Sequence, residues 1–270
     1  MFVQPMLLQK TDHPFDDDSY ITELKLDGIR LLWTKFDDKV RLYTRHKNEV
    51  TALFPELIAV DLPNGTVVDG EIVSPGKGGK PDFEAMMERF SSKKSTNPIQ
   101  LCVFDIVYYE NKNVSYLPLI DRKELLDKII PIDNPLISNV RWIYGNGTAY
   151  FNLVRANDLE GVVFKKTDSK YEIGKRSYSW LKLINYQYED VYITGLRKDK
   201  FGLLLSFLDG SPAGLMEFMT PDAKKKLYSM CKVKSQSDEF AFIEPIKCQV
   251  KYRNLTSKGK LRIPSFVEWL

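Results

Sequence analysis

Apolar and polar residues alternate in short runs over much of the first two-thirds of the chain, the pattern of strands that bury one face. In Glu23-Leu24-Lys25-Leu26-Asp27-Gly28-Ile29-Arg30, alternation puts Glu23, Lys25 and Asp27 on one face and Leu24 and Leu26 on the other. Asp27-Gly28 reads as a tight turn, because glycine takes positive φ without steric cost. With the apolar return Ile29-Arg30-Leu31-Leu32-Trp33, the pattern predicts a hairpin. Lys39 to Arg45 alternates as a half-buried strand with Arg41, Tyr43 and Arg45 on its polar face. Thr66 to Ser74 is another, with Asp69 and Glu71 on one face and Val68 and Ile72 on the other. Leu101 to Tyr109 is apolar and aromatic enough for a buried strand. Glu160 to Lys165 and Ser179 to Leu183 complete the set.

Helices fall between these strands. Asp82 caps one that runs through Phe90. Asp121 with Glu124 forms a capping-box pattern ahead of a helix to Ile130, and Thr148 opens another to about Asn157. The first twenty residues, with Pro5, Pro14 and Asp16-Asp17-Asp18, read as an irregular lead-in. Near Asn185 the character changes. Asp190 to Met219 reads as several short strands with Gly195, Asp209-Gly210 and Gly214 at turns. Thr220-Pro221 is an N-cap and first-turn pair for a helix from Asp222 to Cys231, followed by strand-like runs from Phe240 to Arg253 and Leu261 to Trp269. Three strands, a helix and two strands is the order of a five-stranded Greek-key barrel of the OB type. The expected class is therefore α+β, with a first domain of antiparallel sheets and flanking helices over residues 1–186 and an OB-fold β-barrel over 187–270.

A chain of 270 residues suffices for two such cores, and 43% apolar with 28% charged residues is the composition of a soluble globular protein. The net charge of +3 is too small to identify a partner, but its distribution is uneven. From Lys224 to Arg262 there are eleven lysines and arginines against three acids, a basic stretch that suits nucleic acid and is also what a solvated face looks like. Cys102, Cys231 and Cys248 are odd in number and widely spaced, which reads as reduced packing residues, and two histidines exclude a histidine-rich metal site. No run approaches the roughly 20 apolar residues that span a bilayer, so a cytoplasmic protein without a membrane partner is expected. The loop Pro75 to Pro81 lacks the Gly-Lys-Ser/Thr ending of a phosphate loop.

The chemistry concentrates around Lys25. A lysine amine attacks phosphorus only when neutral, which calls for partial desolvation and cationic neighbours. Asp27 is expected to orient the amine, with a metal or Arg30 supplying the opposing field. Each polar cluster also has a bland reading: a solvated hairpin for Lys25, an exposed strand residue for Glu71, an edge lysine for Lys182.

Lys-x-Asp-Gly-x-Arg over Lys25 to Arg30 resembles the signature of covalent nucleotidyltransferases, and later stretches are similar, in order and spacing, to small ATP-dependent DNA ligases over almost the whole chain. The resemblance implies a nucleotidyltransferase (adenylation) domain in which Lys25 is the nucleophile that becomes adenylylated. It further implies that Glu23 reads the adenine edge, that Phe104 stacks on the base, and that Arg45 meets the ribose or the nick phosphate. Asp69-Gly70-Glu71 matches the motif whose glutamate contacts the ribose and helps hold metal, and Glu160-Gly161 the metal-organising glutamate. Trp180-Leu181-Lys182 matches the last lysine motif of that domain, and Ser257 to Phe266 the end of the ligase OB domain. Lys182, Lys165 and Arg30 are then sources of fixed positive charge on the phosphates.

The resemblance thus implies a minimal, monomeric ligase of bacterial or phage type that uses ATP and Mg²⁺ or Mn²⁺ and acts on nicked duplex DNA. Two departures stand out. Ile184 replaces the second lysine of the last adenylation motif, and the chain stops at Glu268-Trp269-Leu270 without the family's Arg-x-Asp-Lys/Arg ending. Either Lys258, Lys260 or Arg262 takes over, or self-adenylylation is slow. An RNA ligase or capping-type guanylyltransferase shares the lysine motif, and a non-catalytic nick- or end-binding protein would share the basic stretch.

Overall fold

Alternation along the strands decides what each sheet presents to the other. The computed structural model describes residues 1–92 and 94–270. Its first unit, Met1–Leu183, contains β1 (Leu7–Lys10), β2 (Tyr20–Leu24), β3 (Ile29–Phe36), β4 (Lys39–Thr44), β5 (Thr66–Val73), α1 (Phe83–Ser91), β6 (Gln100–Tyr109), β7 (Lys112–Asn113), α2 (Leu119–Ile129), β8 (Ile137–Asn139), β9 (Trp142–Tyr144), α3 (Gly147–Ala156), β10 (Gly161–Lys166) and β11 (Arg176–Ile184). One five-stranded sheet runs β1-β11-β10-β2-β9; a six-stranded sheet runs β4-β3-β5-β6-β7, with β8 added to β6.

Between the sheets lies an apolar layer that includes Met6, Ile21, Leu32, Val67, Val107, Tyr171 and Trp180. The opposite face of the six-stranded sheet, from Leu31, Trp33, Val68 and Ile72, packs with Phe54, Leu57, Met86 and Leu126. The opposite face of the five-stranded sheet, from Val162, Phe164 and Leu183, packs on Phe151 and Val154 of α3. The period of two therefore sends Glu23, Lys165 and Lys182 from one sheet, and Arg30, Asp69 and Glu71 from the other, toward the shared inner layer.

Several expectations are corrected. The hairpin across Asp27-Gly28 does not form: β2 is bonded to β10 and β9, β3 to β4 and β5, so residues 25–28 carry the chain from one sheet to the other. Gly28 is not at positive φ. It is needed because an added Cβ would collide with the Ile72 carbonyl oxygen and lie 2.9 Å from the Val73 side chain. The lead-in contains β1, which pairs in parallel with β11. Arg41 and Tyr43 share a face of β4 as alternation requires, but that face is not polar at Tyr43, which is buried with Phe2 against it, ring centroids 5.6 Å apart. In α2 the helix starts at Leu119 behind Pro118, so Asp121 sits in the first turn and forms no capping box. At α3 the N-terminal amide of Thr148 donates to Asp16 Oδ1 at 2.9 Å, a cap from the lead-in. Asp82 does cap α1, accepting from the Ala85 amide at 2.9 Å.

The second unit, Ile184–Leu270, contains β12 (Gln187–Arg197), β13 (Leu203–Ser206), β14 (Pro212–Met216), α4 (Pro221–Met230), β15 (Val233–Gln236), β16 (Phe240–Tyr252) and β17 (Ser265–Trp269). Its sheet runs β14-β13-β12-β16-β15, with β17 on β16. Three strands therefore follow α4, because Val233–Gln236 pairs with β16, and among the described residues no ladder joins β14 to β15 to close a barrel. The core is built from residues such as Val191, Ile193, Leu205, Met216, Leu227 and Val250. Thr220 caps α4, accepting from the Ala223 amide. The cysteines are free thiols, and no described helix is long and apolar enough to cross a membrane.

One buried ion pair ties α2 to the six-stranded sheet. Arg122, fully buried, donates to both oxygens of Asp105 at 2.7 and 2.9 Å and to the carbonyls of Leu117 and Ser169 at 2.6 and 2.9 Å. Burial opposes ionisation of Asp105, but the guanidinium more than offsets it and holds the carboxyl below its ordinary range. Arg122→Met leaves that carboxylate buried without a cation and should lower the unfolding free energy by roughly 3–5 kcal/mol, while a paired Asp105→Leu/Arg122→Met change should recover much of the loss. Urea unfolding followed by circular dichroism checks both; equal instability of the single and double variants would contradict the pairing.

Candidate active site

Lys25 sits on the crossover between the sheets, and its backbone is fixed by the Lys25 amide donating to the Gly161 carbonyl at 2.9 Å. Its ammonium pairs with Glu160 Oε2 at 2.8 Å. The lysine side chain is 17% exposed and the glutamate 3%. Glu160 lies one residue before β10, so a contact between positions 135 apart in sequence joins the crossover to the five-stranded sheet. Asp27 is half-buried two residues on.

Arg30 and Glu71 come from adjacent strands and face each other in the β3–β5 register. Arg30 forms a fork on Asp69, one arm at 2.9 Å, and Asp69 also accepts from the Tyr171 hydroxyl at 2.6 Å. The Met6 amide donates to that hydroxyl at 3.1 Å. Burial works against the Arg30 charge, but Asp69 outweighs it and holds the guanidinium protonated; burial and the same carboxylate push the Tyr171 phenol well above its usual value. Arg30 lies 5.3 Å over the Phe104 ring. Burial raises Glu71 to about 7 against the pull of Lys25 and Arg30, with Glu160 and Asp69 adding to the rise. Glu71, Glu160 and Asp69 are thus gathered near the Lys25 amine and the Arg30 guanidinium.

Glu23 lies deeper, with its side chain 3% exposed. Lys165 pairs with its Oε2 at 2.7 Å, and Lys123 from α2 pairs with its Oε1. Lys165 also donates to the Phe104 carbonyl at 3.3 Å and lies 4.5 Å from the Phe104 ring centroid and 4.2 Å from that of Trp180. The expected set of cations is therefore divided: Lys165 is engaged with Glu23 beneath the aromatic rings, and Arg30 with Asp69. Lys182 is half-buried on β11, in register with Lys10 of β1. Arg45 is exposed just past the end of β4.

Lys123, Arg122 and Tyr171 were not expected at the site. The signal for the first two lies in the helical period, since Leu119, Arg122, Lys123 and Leu126 form the buried stripe of α2. Tyr171 lies between β10 and β11, where no periodicity marks it.

Among the described residues no group of three or more His, Cys, Asp or Glu side chains forms a ready-made cation site. Glu71 and Glu160, which interact with each other and with Lys25, offer two carboxylates. That donor set fits Mg²⁺, which takes one or two carboxylates together with waters and substrate phosphates.

Burial lowers Lys165 to about 8, despite Glu23. Between about pH 8 and the ordinary lysine value of 10.5 the unfolded chain then binds more protons at this position than the folded chain, so this group's contribution to stability rises with pH across that window. The unfolding free energy of the wild type, measured by urea titration from pH 7.5 to 10, should rise relative to that of Lys165→Met. Parallel curves would show that Lys165 is not held in a desolvated site.

Residues 5–183 match the family model for the ATP dependent DNA ligase domain. The chain is 54% identical over 269 residues to the SPbeta prophage-derived DNA ligase-like protein LigB of Bacillus subtilis, covering 100% of this chain and 99% of that one. It is 28% identical over 272 residues to the multifunctional non-homologous end joining DNA repair protein LigD of Mycobacterium tuberculosis, covering 90% of this chain but only 35% of the relative. Among solved structures it is similar to mycobacterial DNA ligase D complexed with ATP and MES, with 26% identity, a TM-score of 0.64, and 99% and 95% of the two chains covered. A Lig E DNA ligase shares the fold at a TM-score of 0.70 and 18% identity over the full length of both chains. By the family match and the full-length relative, this chain belongs to the ATP-dependent DNA ligases.

Proposed function

We propose that this ligase seals nicks in duplex DNA through an adenylate carried on Lys25. The observation that supports the reading best is the Lys25–Glu160 contact at 2.8 Å, made in the space that Arg30 and Glu71 also face. In the first step the neutral amine attacks the α-phosphorus of ATP; a nitrogen–phosphorus bond forms and the bond to pyrophosphate breaks. Glu160 orients the amine and is placed to accept its proton. The adenylate then passes to the 5′-phosphate of the nick, freeing Lys25, and the 3′-hydroxyl displaces AMP. Each step is an in-line transfer at phosphorus, so positioning and charge neutralisation provide most of the catalysis.

Arg30, locked by Asp69 and Tyr171, supplies a cation that needs no rearrangement when charge builds on the phosphate. Glu71 and Glu160 would hold Mg²⁺ (or Mn²⁺) together with phosphate oxygens, and the ion would supply further neutralisation of those oxygens. Phe104 offers a face for the base, Glu23 an acceptor for its amino edge, and Lys182 and Arg45 further cations for phosphates or ribose. We read the second unit as an OB-type domain from its order of three strands, helix and strands and from the register breaks in β12 and β16. Its basic stretch from Lys224 to Arg262 suits the DNA backbone, with binding that falls as salt rises. The protein acts as a monomer in the cytoplasm, where ATP and duplex DNA are present.

The test is a sealing assay on nicked duplex DNA with ATP or GTP, using wild type, Lys25→Ala and Glu160→Gln. Wild type with ATP should give product, Lys25→Ala none, and Glu160→Gln should be slower by about 10²–10³-fold, the scale for losing one preorganised polar contact in a transition state. Sealing by Lys25→Ala, or covalent capture of GTP alone, would contradict the reading.

A further inference from the structure

Lys123 is buried at 4% exposure on α2, outside the two sheets and the crossover that carry Glu23, Lys25, Arg30, Glu71 and Lys165. Replacing Lys123 and Glu23 together by apolar residues of the same volume would cost little if packing were their whole task, whereas removing the lysine alone leaves Glu23 Oε1 buried without that cation. The position of Lys123 is fixed with care. The neighbouring Arg122 is held by Asp105 and by the carbonyls of Leu117 and Ser169, which sets the rotation of α2 against the sheet and aims Lys123 at Glu23 Oε1. Lys165 holds the other oxygen at 2.7 Å, so the carboxylate is clamped from two elements and cannot turn about its own axis without losing a partner.

Glu23 Oε1 and Lys123 Nζ are ion-paired but both are buried without a hydrogen-bond partner among the described residues, so Oε1 keeps acceptor capacity for a further donor. The nearby Phe104 ring, 4.5 Å from Lys165 Nζ, offers a stacking surface beside it. At position 6 of a purine, adenine presents an amino donor and guanine a carbonyl acceptor. A fixed carboxylate favours the first and opposes the second; one that can rotate discriminates less.

We propose that Lys123 is a positioning residue for nucleotide selectivity: by clamping Glu23 it fixes the acceptor that distinguishes a 6-aminopurine from other purines. The proposal rests on the reading of Lys25 as the adenylate carrier and goes beyond it by assigning a task to α2. Lys123 itself does not touch the nucleotide.

The experiment compares formation of the covalent nucleotidyl-protein from ATP and from purine riboside 5′-triphosphate, which lacks the 6-amino group, by intact-mass kinetics over a range of nucleotide concentrations. In the wild type, loss of the amine should reduce kcat/KM by about 10- to 100-fold, the scale of one hydrogen bond to a charged group. In Lys123→Met that ratio should fall to below about 3-fold, chiefly through KM for ATP, and Lys123→Arg, which keeps a cation, should restore most of it. Lys123→Gln serves for the same comparison if the methionine variant does not fold, with the same expected loss of discrimination. An unchanged ratio in the folded variants, or a wild type indifferent to the amine, would overturn the proposal. Absence of any nucleotidyl-protein from wild type and ATP would instead remove the reading of Lys25 on which it stands.

Discussion

Three carboxylates of the first unit, Glu23, Asp69 and Asp105, are almost wholly withdrawn from water, and each is held by one or two cations from elements other than its own. Burying such groups singly would cost several kcal/mol apiece, so their pairings are obligatory. Asp105 takes Arg122 from α2, Asp69 takes Arg30 from β3 and the Tyr171 hydroxyl, and Glu23 takes Lys123 and Lys165 from α2 and β10. Together these contacts tie a helix and both sheets around the inner layer. The charge that fixes the architecture is the charge that lines the site.

That arrangement explains how a short crossover can hold the Lys25 amine in place. Residues 25–28 leave one sheet and enter the other, with the Lys25 amide tied to Gly161 and Gly28 pressed against the Ile72 carbonyl. The amine is therefore presented from rigid backbone at both ends. Its partner Glu160 stands at the start of β10, whose own Lys165 reaches back to Glu23 two residues before Lys25. The alternation of β2 and β10, paired antiparallel with Val163 opposite Glu23, puts these groups on the inner face together.

Much of this is legible in the chain itself. The period of two in Thr66–Val73 places Asp69 and Glu71 on one face and Val68 and Ile72 on the other, as found. Thr220-Pro221 and Asp82 mark helix starts because their chemistry is local. Alternation reveals a face but not which sheet a strand joins, which is why Glu23 to Arg30 reads as a hairpin when its two halves belong to different sheets. Gly28 likewise suggests a turn, whereas its small size answers to a carbonyl from a strand more than forty residues away in the chain. Arg122 and Lys123 of α2 look like solvated charge until their spacing from Leu119 and Leu126 is considered, and Tyr171 has no pattern around it at all. The second unit shows the same limit, since β15 is short, polar and exposed and carries no apolar alternation to announce it.

The central claim is that one amine, that of Lys25, receives the nucleotide. Peptide mapping by mass spectrometry after exposure of the protein to ATP tests it most directly. An acid-labile AMP group on the peptide that contains Lys25, and on no other, is the predicted result; AMP on a different residue, or none after exhaustive incubation, would contradict the account.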